Sequence, residues 1–213
     1  MPTAPAKRAS KPHGNSKVTR ADWLHAARDM LVRVGVGGIK ILTLSGELGV
    51  ARSSFYWYFS DRTDLLIALL QTWETRNTRC ITDKCDLPAA DISHAVCHFF
   101  ECFIDDTLFD QGLEFGVRDW ARHDAEVRAK VEAADATRLA AITGMYARYG
   151  FETSEADARA RILYFMQLGY HALDITEPMA TRMSRLHGYL KGFTGHEPDP
   201  GMLEAFRARA ANT

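Results

Sequence analysis

Residues 41–62 read ILTLSGELGVARSSFYWYFSDR, two short helices joined at Gly49. Ile41, Leu44 and Leu48 give the first helix one apolar face, and a residue without Cβ turns left-handed at its end at low cost. The second runs from about Arg52 to Tyr58 and carries Arg52, Ser53, Ser54, Tyr56, Trp57 and Tyr58 on a very short scaffold. Two helices joined by a tight glycine turn form a helix-turn-helix, whose second helix enters the major groove of DNA. Phe55 and Phe59 are expected to pack with Leu44 and Leu48 against Leu24, Ala27 and Leu31, with Trp57 either beside them as core or wedge or among the DNA-binding residues. The opposite side then faces outward. Arg52 suits guanine O6 and N7. Ser53 and Ser54, at the helix start, suit phosphate oxygens. Tyr56 and Tyr58 offer ring edges and hydroxyls, and Tyr58 serves equally well as an anchor for the next helix.

Upstream, Thr19 is an N-cap, with Asp22 in the position of a capping-box acid. Trp23, Leu24, Ala27, Met30, Leu31 and Val34 then recur at helical spacing up to Gly35. Residues 1–18, with three prolines among lysines and serines, read as a flexible basic arm. Downstream, Ser60-Asp61 caps a long helix through Leu65, Leu66, Leu69, Leu70 and Trp73 toward Cys80. Further helices are expected beyond Pro88, around Leu113–His123, from Asp124 to Tyr149, from a Ser154 cap to Leu173, from Met179 to Gly192, and over 200–211. No strand or hairpin signal appears. The fold class is all-α.

Charge is divided along the 213-residue chain. Residues 1–60 hold nine basic and three acidic side chains, and the remainder holds 17 against 24. A basic head on an acidic body suggests polyanion binding at one end only. Four cysteines in a chain this long make no disulfide scaffold. No run approaches the ~18 apolar residues of a membrane span, so a cytoplasmic protein without membrane association is expected. Catalysis is not expected, because no nucleophile–base pattern, phosphate loop or metal signature is present.

The head resembles the TetR family of bacterial transcriptional regulators. The resemblance lies in Leu44-Ser45, Glu47-Leu48-Gly49-Val50, the run Ser53 to Phe59, Asp61-Arg62 and Leu65-Leu66. It covers about residues 19–75 and is only architectural beyond them. It implies an N-terminal three-helix helix-turn-helix DNA-binding domain (19–62) after the arm (1–18). A helical C-terminal effector-binding and dimerisation domain (63–213) follows. It further implies base or phosphate contacts by Arg52, Ser53, Ser54, Tyr56 and Tyr58, and a phosphate contact by Arg62. Lys40 stands where the family often has Thr, so a lysine replaces the usual cap and phosphate contact. Gly46 within the second helix costs ~1 kcal/mol relative to alanine, which points to a close helix crossing or to an approach by DNA.

The same resemblance implies a small-molecule effector in the body, and an aromatic and methionine-rich pool is available to line its pocket. Phe100, Phe103, Phe115, Trp120, Met145 and Tyr164 are the expected lining, with Arg118, Gln167 and His171 as polar groups. Bulky groups on more than one face of 162–173 and 183–190 imply a homodimer. Its expected interface comprises Leu163, Met166, Tyr170, Leu173, Met183, Leu186 and Leu190. A two-fold dimer sets its recognition helices about 34–36 Å apart and calls for a palindromic double-stranded operator. The expected function is a repressor released by its effector. A constitutive DNA-binding protein is the alternative, and a metal-responsive regulator a further one. His94, His98 and Cys102 form a stripe of ligand types, but along one helix they span about 12 Å, so neither metal nor cofactor is expected. Cys80 and Cys85, five residues apart, do not share a helix face.

Overall fold

A computed structural model describes residues 18–211, so the basic arm lies outside the described residues apart from Val18. Eleven α-helices are present among them. The head comprises α1 (Arg20–Val34), α2 (Ile41–Glu47) and the segment Arg52–Trp57. The Thr19 hydroxyl and the Asp22 carboxylate cap α1 reciprocally, and Gly35 ends it at φ 83°. Gly49, at φ +66°, makes the turn after α2. The recognition segment is a six-residue 3-10 helix instead of the expected α-helix. Its tighter winding is the form short helical pieces adopt.

The long linking helix begins at Arg62, capped by the Asp61 carboxylate, and is not uniform. It runs as α3 (Arg62–Trp73), passes through a π-helical turn (Glu74–Thr78) and continues as α4 (Arg79–Asp86). The body adds α5 (Ile92–Glu101), α6 (Gln111–Ala121), α7 (Ala125–Arg148) and α8 (Thr153–Ala172). It closes with α9 (Met179–Ser184), α10 (Leu186–Thr194) and α11 (Pro200–Ala210). Two expectations are corrected here. Glu152, not Ser154, stands at the cap position of α8. The helix expected over 179–192 breaks at Arg185 into α9 and α10.

Two apolar cores are stacked along the molecule. The first joins Trp23, Leu31, Leu44, Phe55 and Phe59 of the head to Leu65, Leu69 and Trp73 of α3. It extends to Leu113, Val117 and Trp120 of α6 and to Val127 and Val131 of α7. The second lies in the body, among α4, α5, the far half of α7, α8, α10 and α11. α1 seats closely on α6 because α6 carries Gly112 and Gly116 on the facing side. A Cβ at Gly112 would lie 2.9 Å from the Arg28 guanidinium, and one at Gly116 2.9 Å from Leu31 Cγ. Alanine at Gly116 would press on the branch point of Leu31, and alanine at Gly112 would displace the end of the Arg28 side chain.

Candidate nucleic-acid interface and its link to the body

The recognition segment divides as its chemistry requires. Phe55 is fully buried, meeting Trp23 edge-on at 5.2 Å and stacking on Phe59 at 5.4 Å. Such aromatic contacts add about 0.5–1.5 kcal/mol to burial. On the other side Arg52 and Ser53 are exposed, Tyr56 is 50% exposed and Trp57 70%. Of the roles open to Trp57, core, wedge or DNA contact, its exposure removes the first. Arg52 Nη2 donates to the Tyr56 hydroxyl at 3.3 Å, which holds both polar groups on one outward ridge.

Other candidates are engaged within the head. The Ser54 hydroxyl donates to the Ala51 carbonyl at 2.8 Å. The Tyr58 hydroxyl donates to the Val18 carbonyl at 2.7 Å, which favours the anchor role left open above. Arg62 turns inward, donating through Nε to the Ile39 carbonyl and through Nη2 to that of Val36. It fastens the start of α3 to the turn between α1 and α2, and this use of two donors departs from the expected phosphate contact. Lys40 is exposed at the start of α2 with no side-chain capping bond. Gly46 is exposed and a Cβ there would meet nothing within 4 Å, so no helix crossing accounts for it.

A polar layer separates the two cores, and it was missed in the sequence. Arg28 of α1 grips Asp110, the N-cap of α6, through Nε at 2.9 Å and Nη2 at 2.6 Å. Asp110 and Asn77 of the π turn exchange main-chain and side-chain bonds at 3.0 and 2.9 Å. Asn77 also donates to Glu114 at 2.9 Å, as does Trp73 Nε1 at 2.7 Å. Glu114 receives Arg138 of α7 through two nitrogens at 2.7 and 3.1 Å. Arg138 and Arg118 both donate to the Tyr164 hydroxyl of α8 at 3.0 and 3.1 Å. Burial would raise the Glu114 carboxyl, but Arg138 above all, with Arg118 and Asn77, holds it down to about 2. Asp110 is likewise held below the usual carboxylate range against its burial, chiefly by Arg28. The π turn allows Asn77 and Thr78 to meet α6 and α7, since Arg138 Nε also donates to the Thr78 hydroxyl. One signal was available in sequence: Arg138 interrupts the buried stripe Val127, Val131, Ala134, Ile142 and Met145 of α7.

The residues expected to line one effector pocket are dispersed. Phe115 and His171 border an open cleft of about 1120 Å³ where α1 meets α6. Phe100 and Gln167 line a separate apolar cavity of about 50 Å³ in the body. Arg118 and Tyr164 belong to the polar layer, Trp120 to the head-side core, and Met145 and Phe103 to the body core. The expected interface is corrected as well: Leu163, Leu186 and Leu190 are buried in the chain's own core. Met166, Tyr170 and Met183 are half-buried, and Leu173 is exposed. The residues that α8 leaves outward are Ile162 (60% exposed), Phe165 (51%) and Leu173 (74%). Among the described residues no group of three or more His, Cys, Asp or Glu could hold a metal ion. His94 pairs with Asp91 at 2.9 Å instead. No helix among the described residues is long and apolar enough to cross a membrane.

His171 supplies a pH test. Burial pushes its imidazole down to about 4, and Gln167 Nε2 lies 2.6 Å from its Nε2, a donor against the unprotonated nitrogen. A base held below its ordinary value is stabilising while neutral, and the contribution is lost as pH falls from about 6.5 toward 4. Unfolding free energy is expected to drop by about 1–3 kcal/mol over that window. His171→Asn should flatten the drop in urea titrations at successive pH values, and an unchanged slope would exclude His171 as its source.

Residues 24–69 match the sequence model of the bacterial regulatory proteins of the tetR family. Those residues are a TetR-family domain. The chain binds DNA through the helix-turn-helix of that domain. No curated protein matches its sequence. Solved structures extend the likeness in fold to the body of the chain. AmtR of Mycobacterium smegmatis superposes with a TM-score of 0.61 at 18% identity, over 95% of this chain and 99% of that one. The reduced form of E. coli NemR gives 0.57 at 14% identity, over 84% and 99%. A Rhodococcus protein described as a TetR-family transcriptional regulator gives 0.58 at 15%, over 83% and 96%.

Proposed function

We propose that this regulator is a dimeric repressor that holds a palindromic operator and releases it when a small molecule binds the body. The observation that carries the reading is the polar layer. It joins Arg28 of the head through Asp110, Asn77, Glu114 and Arg138 to Tyr164 on α8. A shift of α8 or of the π turn is therefore felt at α1. The operator is read by Arg52, Ser53, Tyr56 and Trp57, with Lys40 on adjacent phosphate. The dimer forms along the outward stripe of α8, Ile162, Phe165 and Leu173, with half-exposed Met166 and Tyr170 at its margin. Residues 19–62 act as the reading unit, and residues 63–213 as the sensing and pairing unit.

The body cavity, lined by Phe100, Ile104, Met166, Gln167, Leu186 and Phe206, holds little more than one water's share of liquid volume. An effector of ordinary size needs that cavity to open. α9 is the movable wall, because it has no buried residue and follows a loop in which Asp174 adopts φ 49°. A switch from 1:99 to 99:1 requires about 5.5 kcal/mol of differential affinity between the two conformers.

Selection of random duplex DNA by the full chain, followed by sequencing, tests the reading. An inverted repeat with half-sites about one helical turn apart is expected. On that sequence Arg52→Ala should lose about 1–3 kcal/mol of affinity and relax one base preference. Enrichment of an unsymmetrical site would count against the dimeric arrangement, and equal binding by the variant against Arg52 as a reader.

A further inference from the structure

Two of the four cysteines meet across the fold. Cys80, at the start of α4, and Cys102, the C-cap of α5, place their Sγ atoms 2.6 Å apart although 22 residues separate them in sequence. Both are free thiols. The other two lie elsewhere: Cys85 is fully buried, and the Cys97 thiol points at Met202 Sδ at 3.5 Å.

We propose that Cys80 and Cys102 form a reversible disulfide when the protein meets hydrogen peroxide, giving the linking helix a thiol-oxidation site of its own. The Cys80 thiolate attacks one peroxide oxygen, the O–O bond breaks, and the departing hydroxide takes a proton to leave as water. Cys80 is then a sulfenic acid. The Cys102 sulfur attacks that sulfur, the S–S bond forms, and the sulfenic hydroxyl leaves with the Cys102 proton as a second water. Two thiols are oxidised by two electrons, and one peroxide is reduced to two waters.

The environments assign the order of attack. Cys80 is half-exposed and Cys102 fully buried, so a small oxidant reaches Cys80 first. The Cys102 thiol beside it, and Lys84 to a smaller extent, hold the Cys80 thiol below its ordinary value against the effect of burial. Burial pushes the Cys102 thiol up. Burial likewise pushes Cys85 and Cys97 up to about 12, so both remain protonated and unreactive near neutral pH. The bond would tie α4, directly beyond the π turn, to the segment that leads from α5 to Asp110. Asp110 is the residue that Arg28 of the head grips.

The test is mass spectrometry of the reduced full chain treated with hydrogen peroxide while folded, then unfolded in guanidinium and alkylated with N-ethylmaleimide so that every remaining thiol is reached. A loss of about 2 Da is expected, with two of the four thiols still alkylated, a cross-linked peptide joining Cys80 to Cys102, and full reversal by dithiothreitol. The Cys85→Ser, Cys97→Ser double variant should behave as wild type does. Cys102→Ser should stop at a dimedone-trappable sulfenic acid on Cys80. Four alkylated thiols after peroxide, a cross-link through Cys85 or Cys97, or one between two chains would each overturn the proposal. These readouts are made on the wild-type chain and do not depend on the variants folding.

Discussion

Glu114→Gln is expected to lower the free energy of unfolding by about 3–5 kcal/mol, the range for breaking a buried ion pair by removing one partner. Glu114 and Arg138 are both fully buried. The carboxylate accepts five bonds of 2.7 to 3.1 Å, from Trp73, Asn77, Arg118 and two Arg138 nitrogens. A neutral amide leaves the Arg138 guanidinium in the interior with only the edge of Asp135, 3.9 Å away, as a counter-charge. It also turns an acceptor toward solvent-free donors into a group with donors of its own. Urea unfolding at pH 7 measures the loss. The pH sign follows from a carboxyl held below its ordinary value. Its contribution is complete above the usual carboxylate range and disappears as pH falls toward about 2. The deficit of the variant should therefore shrink in acid. Combining Glu114→Gln with Arg138→Met should recover much of the stability, because the uncompensated charge is then gone. A Glu114→Gln loss under 1 kcal/mol would mean that water or Asp135 already shields Arg138.

The second large effect is expected on α8. Replacing both Ile162 and Phe165 by Glu should convert the dimer to a monomer that remains folded, and should weaken operator binding by about two orders of magnitude or more. Each large apolar side chain withdrawn from water contributes about 1.5–3 kcal/mol, and a two-fold axis counts every residue twice. Four glutamates facing one another across that axis add repulsion. Leu163→Glu, one position away, is expected to unfold the body instead, since Leu163 is fully buried in the core. Sedimentation velocity with circular dichroism separates the two outcomes. A dimer unaffected by the pair of glutamates would place the interface on another face.

Neighbouring residues of α8 thus carry opposite assignments, and this marks how far the sequence could be read. The capping box at Thr19, the stop at Gly35 and the turn at Gly49 were legible because each depends on atoms within a few residues along the chain. The division of the recognition segment into buried Phe55 and exposed Arg52 was legible for the same reason. Helical period showed that 162–173 carries bulky groups all round. It could not tell which of them the body core would cover, because that depends on where α5, α7 and α10 pack. Leu163 was therefore placed at an interface from which its own core excludes it. The expected effector pocket dispersed for a like reason: aromatic composition indicates how much apolar volume exists, not where it gathers.

The sequence by itself determined the all-α class, the helix ends at Thr19, Gly35 and Gly49, and the DNA-reading head, whose pattern lies within one contiguous stretch. Tertiary structure alone decided which residues join across distance. It set Arg28 against Asp110, enclosed Glu114 with Arg138, and brought Cys80 to Cys102 when local offsets had suggested only Cys85 for comparison. These pairings span 22 to 82 residues of chain. They are produced by the packing of whole helices, and no local period records them.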